Sequence, residues 1–405
     1  MSKDFLQSHV GPESPLVLGF NPLTDSPWLP RKWRVTINHI IDRRDVAPES
    51  SGQPGGSTVY KWPKIAEKVT KIQVMTTHAA LAQTGGTYVC FEDFAGFDEI
   101  DHVDISYAGN PLQTIYGLQM YIWHRLHKRQ DKQDAEAVLV GGNMTQAERI
   151  TAAASAQKFY VDIPAFFTYE THSSFPLLVL AEEIRFEVFY KQLSQVVNSD
   201  ASLGNVTGGA ITTQALRISF VQNIKSEKNI INSAVNEGNG IIFPILDVER
   251  QPLNLLQSGN TSFNVKITNA KAPCSYFSFV ARKNSKINST TYGNTFNQFE
   301  TVSNWDLMAN SDYLIRNVEH DYNLFYLNPL YYEGPPRDNI YGSSFSLVPE
   351  NRYDCNGSNY FAMQNNPTLD VTMPSALGEN YYLDAFFFVE NFIQIKGPDV
   401  IKIFK

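Results

Sequence analysis

The chain has 405 residues, 43% apolar and 13% aromatic, with 33 Lys and Arg against 41 Asp and Glu, a net charge of −8. That composition supports a large buried core and excludes disorder throughout. The acidic balance lacks the basic face that phosphate neutralisation demands, so direct nucleic-acid binding is not expected. No apolar run approaches the ~18–20 residues of a membrane helix. The densest short run, Phe175–Ala181, is strand-sized. The start, MSKDFLQSHV, carries no apolar stretch of the kind a secretory signal needs. Cys90, Cys274 and Cys355 lie far apart without a CxxC, which fits a reducing compartment better than a disulfide scaffold.

Residues 1–65 read as an arm and linker. They hold Pro12, Pro15, Pro22, Pro27 and Pro30 and the Gly/Pro-rich stretch 48–56, with regular structure expected only over Trp33–Ile41. Such a segment is either a frayed terminus or an arm that folds onto a partner. From residue 66 the pattern turns to strands. Val103, Ile105 and Tyr107 alternate with polar neighbours. Ile184, Phe186, Val188 and Tyr190 do so more clearly, and Leu216, Ile218 and Phe220 and then Phe263, Val265 and Ile267 repeat it. Residues 275–281 and 382–389 are apolar on both faces, as strands buried within a sandwich. Two helices are expected among the strands. Ile115, Leu118, Ile122 and Leu126 fall at helical spacing, and Thr145-Gln-Ala-Glu148 forms a capping-box pattern ahead of an Ala-rich run.

The small, polar stretch 197–209 reads as a boundary, and 26 of 32 Asn lie beyond it. The expected division is an arm at 1–65, a first sandwich at 66–209 and a second at 210–405. The fold class is all-β: two eight-stranded sandwiches in tandem, a few short helices in loops and an extended N-terminal arm, and the family resemblance given below implies that both sandwiches are jelly rolls. The Asn/Ser/Thr-rich segment 284–312 is the expected exposed excursion.

Walker A, GxGxxG, GxSxG and HExxH motifs are absent. His124 and His127 have the i, i+3 spacing of a zinc pair, but basic residues suit a helix C-terminus in any case, and Arg125, Lys128 and Arg129 would repel a cation. Glu92, Asp93, Asp98, Glu99, Asp101 and Asp104 form an acidic stretch that could hold calcium, although a solvated loop accounts for it and the spacing is not that of an EF-hand. Glu319-His320-Asp321 could be a base between carboxylates, yet strand neighbours point to opposite faces and no nucleophile pairs with them. Sequons at Asn143, Asn205, Asn260, Asn288 and Asn356 are near chance for so Asn-rich a chain. The aromatic runs Tyr322–Tyr326 and Tyr331-Tyr332 could stack sugars or bases, but core or subunit interface is the simpler reading. No catalytic, metal or cofactor-binding residue is assigned, and the chain is not expected to be an enzyme.

The order of segments resembles the double jelly-roll major capsid protein of tectivirus-type, membrane-containing icosahedral phages. Val69–His78, YVCFEDFAGFDEIDHVDISYAG and QMYIWHRLH resemble the opening of a first roll, and Phe159–Glu170 with FPLLVLAEEIRFEVFY its later strands. Asn239–Asp247 with LNLLQSG, and the terminal YLDAFFFVENFIQI, resemble strands of a second roll. The resemblance implies a homotrimer of six jelly rolls that forms a pseudo-hexagonal capsomer. Its implied partners are neighbouring capsomers, penton and minor capsid proteins, and an internal membrane approached by the arm, with Leu16–Ile41 as its counterpart here. It further implies residence in the virion after assembly in the host cytoplasm. Related capsid proteins of eukaryotic viruses share the architecture. Two other functions stay open on the sequence: a carbohydrate- or receptor-binding double sandwich, such as a spike or minor capsid protein, and a β-sandwich hydrolase with a carboxylate pair.

Overall fold

A computed structural model describes residues 40–66, 68–168, 175–177, 180–202, 204–222, 240–287, 295–334, 338–347, 349, 357–397 and 399–403. Eight principal strands form a first sandwich: β1 (Ile40–Val46), β2 (Ser57–Lys61), β3 (Lys68–His78), β4 (Ile100–Tyr107), β5 (Asn110–Tyr116), β6 (Gln157–Asp162), β7 (Ile184–Tyr190) and β8 (Ile211–Gln222). They pair antiparallel as two sheets, β1–β8–β3–β6 and β2–β7–β4–β5. Eight more form a second: β9 (Ile241–Leu256), β10 (Ser262–Lys266), β11 (Cys274–Lys283), β12 (Asn304–Ala309), β13 (Asp312–Glu319), β14 (Tyr341–Ser344), β15 (Thr368–Thr372) and β16 (Tyr381–Lys396). Their sheets are β9–β16–β11–β14 and β10–β15–β12–β13. Each half thus repeats one order, first–eighth–third–sixth facing second–seventh–fourth–fifth, which is the jelly roll.

Side-chain alternation selects the inner faces. On β7, Ile184, Phe186, Val188 and Tyr190 are buried while Arg185 is exposed. They meet Val103 and Ile105 of β4 and, across the sandwich, Ile72, Val74, Leu216, Ile218 and Phe220. In the second roll Phe277 and Phe279 pack edge-on against Trp305, each with ring centroids 5.7 Å apart. Leu369, Val371, Ala385 and Phe387 complete that core.

Three helices lie in the connection from β5 to β6: α1 (Gly117–His127), α2 (Gln130–Val140) and α3 (Gln146–Ala153). The capping box at α3 forms as read: the Thr145 N–H donates to Glu148 Oε2 (2.8 Å), and the Glu148 N–H donates to Thr145 Oγ1 (3.4 Å). α2 went unread because its inward face carries Gln133 and Glu136 beside Ala137 and Val140. The Gln133 amide donates to the carbonyls of Arg125 (2.9 Å) and Lys128 (2.7 Å), thereby capping the end of α1.

Three expectations are corrected. The arm does not extend to residue 65, because 40–46 and 57–61 are strands of the first sandwich. The stretch 48–56 is fastened to β8 by Gln53, which both donates to the Ile211 carbonyl and accepts from its N–H, each at 3.0 Å. The first sandwich does not end at 209. β8 runs from 211 to 222 in the centre of its sheet, and the polar stretch before it folds back as two short strands, Val197–Ser199 on Val89–Phe91 and Val206–Gly208 on Leu81–Gln83. Small polar residues there serve a tight double-back, with Gly208 and Gly209 at φ 85° and 68°. Lastly, the described part of 284–312 is no exposed excursion. Phe296, Phe299 and Val302 are buried, and β12 lies within a sheet. Residues 1–39 and 288–294 of these expectations lie outside the described residues.

Candidate functional site

The polar groups singled out in the sequence are each held by separate partners. His124 turns into the first roll against Phe94 and Phe97, and its Nδ1 lies 2.5 Å from Glu136 Oε2. Burial lowers the His124 pKa and outweighs Glu136, so the ring is neutral and donates Nδ1–H. Burial would raise Glu136, but His124 and Lys128, whose Nζ is 2.6 Å away, keep it below the ordinary carboxylate range. His127, one turn on, instead stacks on Trp123 with centroids 3.7 Å apart. The two imidazoles therefore serve different neighbours and form no common ligand pair.

The acidic stretch disperses likewise. Glu92 lies 3.5 Å from Arg149, and Asp93 accepts from Asn297 at 3.0 Å. Asp98 pairs with Lys191 (2.8 Å), Glu99 accepts from Thr76 (2.6 Å) and meets His78 (2.5 Å), and Asp104 accepts from Thr114 (2.6 Å). Burial and Asp98 push Glu92 up to about 8 despite Arg149. His320 Nδ1 sits 2.7 Å from the Tyr341 hydroxyl, while Asp321 is exposed and 3.9 Å from Nε2, so the 319–321 trio does not converge. Among the described residues no three His, Cys, Asp or Glu are grouped to hold a metal ion.

Of these residues His127 reaches a seam between the sandwiches, where α1 meets the second roll. α1 begins at Gly117, where a Cβ would stand 2.0 Å from the Ile100 carbonyl oxygen, so glycine alone permits this close entry. The helix then lays Trp123 and His127 against the outer face of β9–β16–β11–β14. Tyr276 and Phe388 stack there 4.2 Å apart. His127 lies 5.4 Å from Tyr276 and 5.1 Å from Tyr332, and Trp123 lies 6.1 Å from Phe388. This explains the two-faced apolar pattern of β11 and β16. Phe277 and Phe387 face their own core, whereas Tyr276, Phe386 and Phe388 face the first roll.

Buried charge frames the seam. Arg125 Nε pairs with Asp338 at 2.8 Å, and the Tyr121 hydroxyl donates to the same carboxylate at 2.8 Å. The Gly334 N–H donates to the Leu126 carbonyl at 2.7 Å. At the other edge Arg250 lies 4.8 Å over the Tyr116 ring and, with Arg282, clamps Asp384. Burial would raise Asp384, but the two guanidiniums outweigh it and hold the carboxyl below its usual range. The arrangement joins two jelly rolls into one block and carries the rest of the surface in fixed relation to them. Sequence reading missed the partners Asp338, Arg250 and Tyr276, whose roles depend on contacts between distant segments.

The aromatic runs divide. Tyr332 enters the seam, and Leu324 and Leu327 enter the second core. Tyr322, Phe325, Tyr326 and Leu330 face outward with 50–63% of their surface exposed.

Residues 35–224 match the family described as Major capsid protein N-terminus, a span that takes in all of β1 to β8. The duplicated strand order defines a double jelly roll, and the match aligns its first half with the N-terminal part of major capsid proteins. Solved structures agree on the fold. VP54 of PBCV-1, fitted into a reconstruction of the virophage Sputnik, aligns with TM-score 0.75 at 13% identity over 92% of this chain and 98% of its own. The Faustovirus major capsid protein aligns with TM-score 0.75 at 11% identity over 93% and 94%. The mavirus major capsid protein aligns with TM-score 0.56 at 12% identity over 97% and 96%. No curated protein matches the chain by sequence.

Proposed function

We propose that this chain forms the outer shell of an icosahedral virion as a homotrimeric, pseudo-hexagonal capsomer. The observation that carries the reading is the repetition of one strand order in both halves of a single chain. Three such chains supply six like sandwiches, enough to close a six-sided ring by a head-to-tail contact. Rigid sandwiches locked by a buried seam suit lateral packing against neighbouring capsomers, penton and minor capsid proteins. The segment ahead of β1 is read as the arm that reaches neighbouring subunits and an internal membrane. The net charge of −8 accords with a shell that makes no direct contact with the genome. The role is structural, without catalysis, and the site of action is the virion after assembly in the host cytoplasm. The working division is an arm before residue 40, a first roll to 222 and a second from 240.

Negative-stain images of the purified full chain test this. Three-fold class averages with a hexagonal outline are expected. Single two-lobed particles at every concentration would overturn the capsomer.

A further inference from the structure

We infer that the helical segment 320–331 closes the capsomer ring by seating its outward aromatic face on the β1–β8–β3–β6 sheet of a second copy of this chain. The inference rests on the trimeric reading above and names its contact surfaces.

The two rolls share one topology. In each roll a helical segment follows the fifth strand and precedes the sixth. In the first roll this is α1, which covers the β9–β16–β11–β14 sheet of the second roll. In the second roll it is 320–331, built from successive turns His320–Tyr322, Asn323–Leu327 and Asn328–Tyr331. Its inner side is fixed in place. Asn323 donates to the Gly342 carbonyl (2.8 Å) and accepts from its N–H (3.0 Å), and Asn328 donates to the Ile340 carbonyl (2.9 Å). Its outer side presents Tyr322 stacked on Tyr326 at 5.0 Å, with Phe325 and Leu330 alongside, all exposed.

The receiving face is unequal in the same sense. In the sheet β9–β16–β11–β14 the strands β11 and β16 are buried on both faces, whereas the counterpart sheet β1–β8–β3–β6 has one exposed face. Arg43, Asp45 and Lys71 stand exposed on its outer side, with Arg217 half-buried beside Asp45. Among the described residues each chain therefore holds one helix and sheet joined at its own seam, and one helix and sheet that meet no such partner. Repeating the seam's head-to-tail step carries that second helix onto the first roll of the next copy, a heterologous contact that can close as a ring.

The chemistry of the two surfaces agrees. Tyrosine, phenylalanine and arginine are the side chains enriched where proteins meet, and a guanidinium over a ring is attractive. The internal seam already uses this pair, with Arg250 of β9 lying over Tyr116 beside α1. Arg43 on β1 occupies the corresponding first strand of the β1–β8–β3–β6 sheet.

The test uses the full chain. Unlabelled chains carrying Phe325→p-benzoylphenylalanine are co-assembled with ¹⁵N-labelled wild-type chains, irradiated and digested. Cross-links are expected from unlabelled residue 325 to labelled peptides containing Arg43, Lys71 or Arg217. In parallel, Phe325→Asp with Tyr326→Ser should weaken self-association at least about tenfold, with an unchanged circular dichroism spectrum as the check on folding, while Val138→Asp on α2 leaves association as it was. A wild-type trimer whose cross-links fall elsewhere, and whose association survives the double substitution, would overturn this contact and leave the trimer standing. A monomeric wild type would overturn the trimer and the contact together.

Discussion

Arg125 of α1 and Asp338 ahead of β14 form an ion pair 2.8 Å long across the seam, with little of either side chain exposed. The two residues are far apart in sequence and belong to different sandwiches. Their contact is bidirectional in its consequences. Arg125 also takes Tyr121 as an acceptor (3.0 Å) and lies 5.0 Å over the Phe94 ring, so the pair is anchored in the first roll's core. Asp338→Asn should cost about 3 kcal/mol, because it leaves a buried guanidinium without its counter-charge. The double variant Arg125→Met with Asp338→Leu should recover most of that loss, since an apolar pair needs no desolvation. Urea midpoints of the variants measure both effects, and equal losses in the single and double variants would contradict the account.

Phe388 is buried at the seam and its neighbour Phe387 in the second roll's own core. Each, changed to Ala, should cost roughly 3–5 kcal/mol. The two should differ in kind. Phe388→Ala weakens the coupling of the rolls and should split one calorimetric transition into two, whereas Phe387→Ala should lower the second roll's stability without that separation.

Much of the fold was legible because its strands are half-buried. The alternation of β4, β7, β8 and β10 follows directly from one wet and one dry face, and Thr145 with Glu148 marked α3 through local hydrogen bonds. β11 and β16 were read as buried on both sides, but the cause lay in the seam and not in the sandwich alone. The missed features depend on distant partners. α2 hides its face because Gln133 and Glu136 are satisfied by Arg125, Lys128 and His124. β1 and β2 follow a Pro-rich stretch, and only pairing with β8 and β7 shows them as strands. The histidine pair and the acidic stretch are patterns of residue type that carry no geometry, and the structure places His124 on Glu136, His127 on Trp123 and Asp98 on Lys191.

Gly117→Ala should destabilise the chain by at least about 2 kcal/mol, because the added Cβ would lie 2.0 Å from the Ile100 carbonyl oxygen and 2.5 Å from that of Phe97. The strain falls where α1 leaves β5, so hydrogen exchange should rise first in α1 and at the seam. Unchanged exchange there would contradict the close-entry role of this glycine.

Glu92 supplies a pH dependence with a defined sign. Its carboxyl is raised from 4.5 to about 8 by burial and by Asp98. Between those values the folded chain keeps the proton and the unfolded chain releases it. Folding therefore binds a proton, and stability falls as pH rises through that window. Glu92→Gln should be close to neutral at pH 4.5 and stabilising by about 2 kcal/mol near pH 7.5. The difference in urea midpoint between variant and wild type, followed from pH 4.5 to 8, checks this. A difference that shrinks with rising pH would contradict it.

The proposed function has the duplicated jelly rolls of one chain make a three-chain capsomer. Native mass by light scattering after size exclusion, taken on the full chain over a concentration series, tests it most directly. The account predicts a stable species of three chains, or larger assemblies in multiples of three. A single-chain mass at every concentration would contradict it.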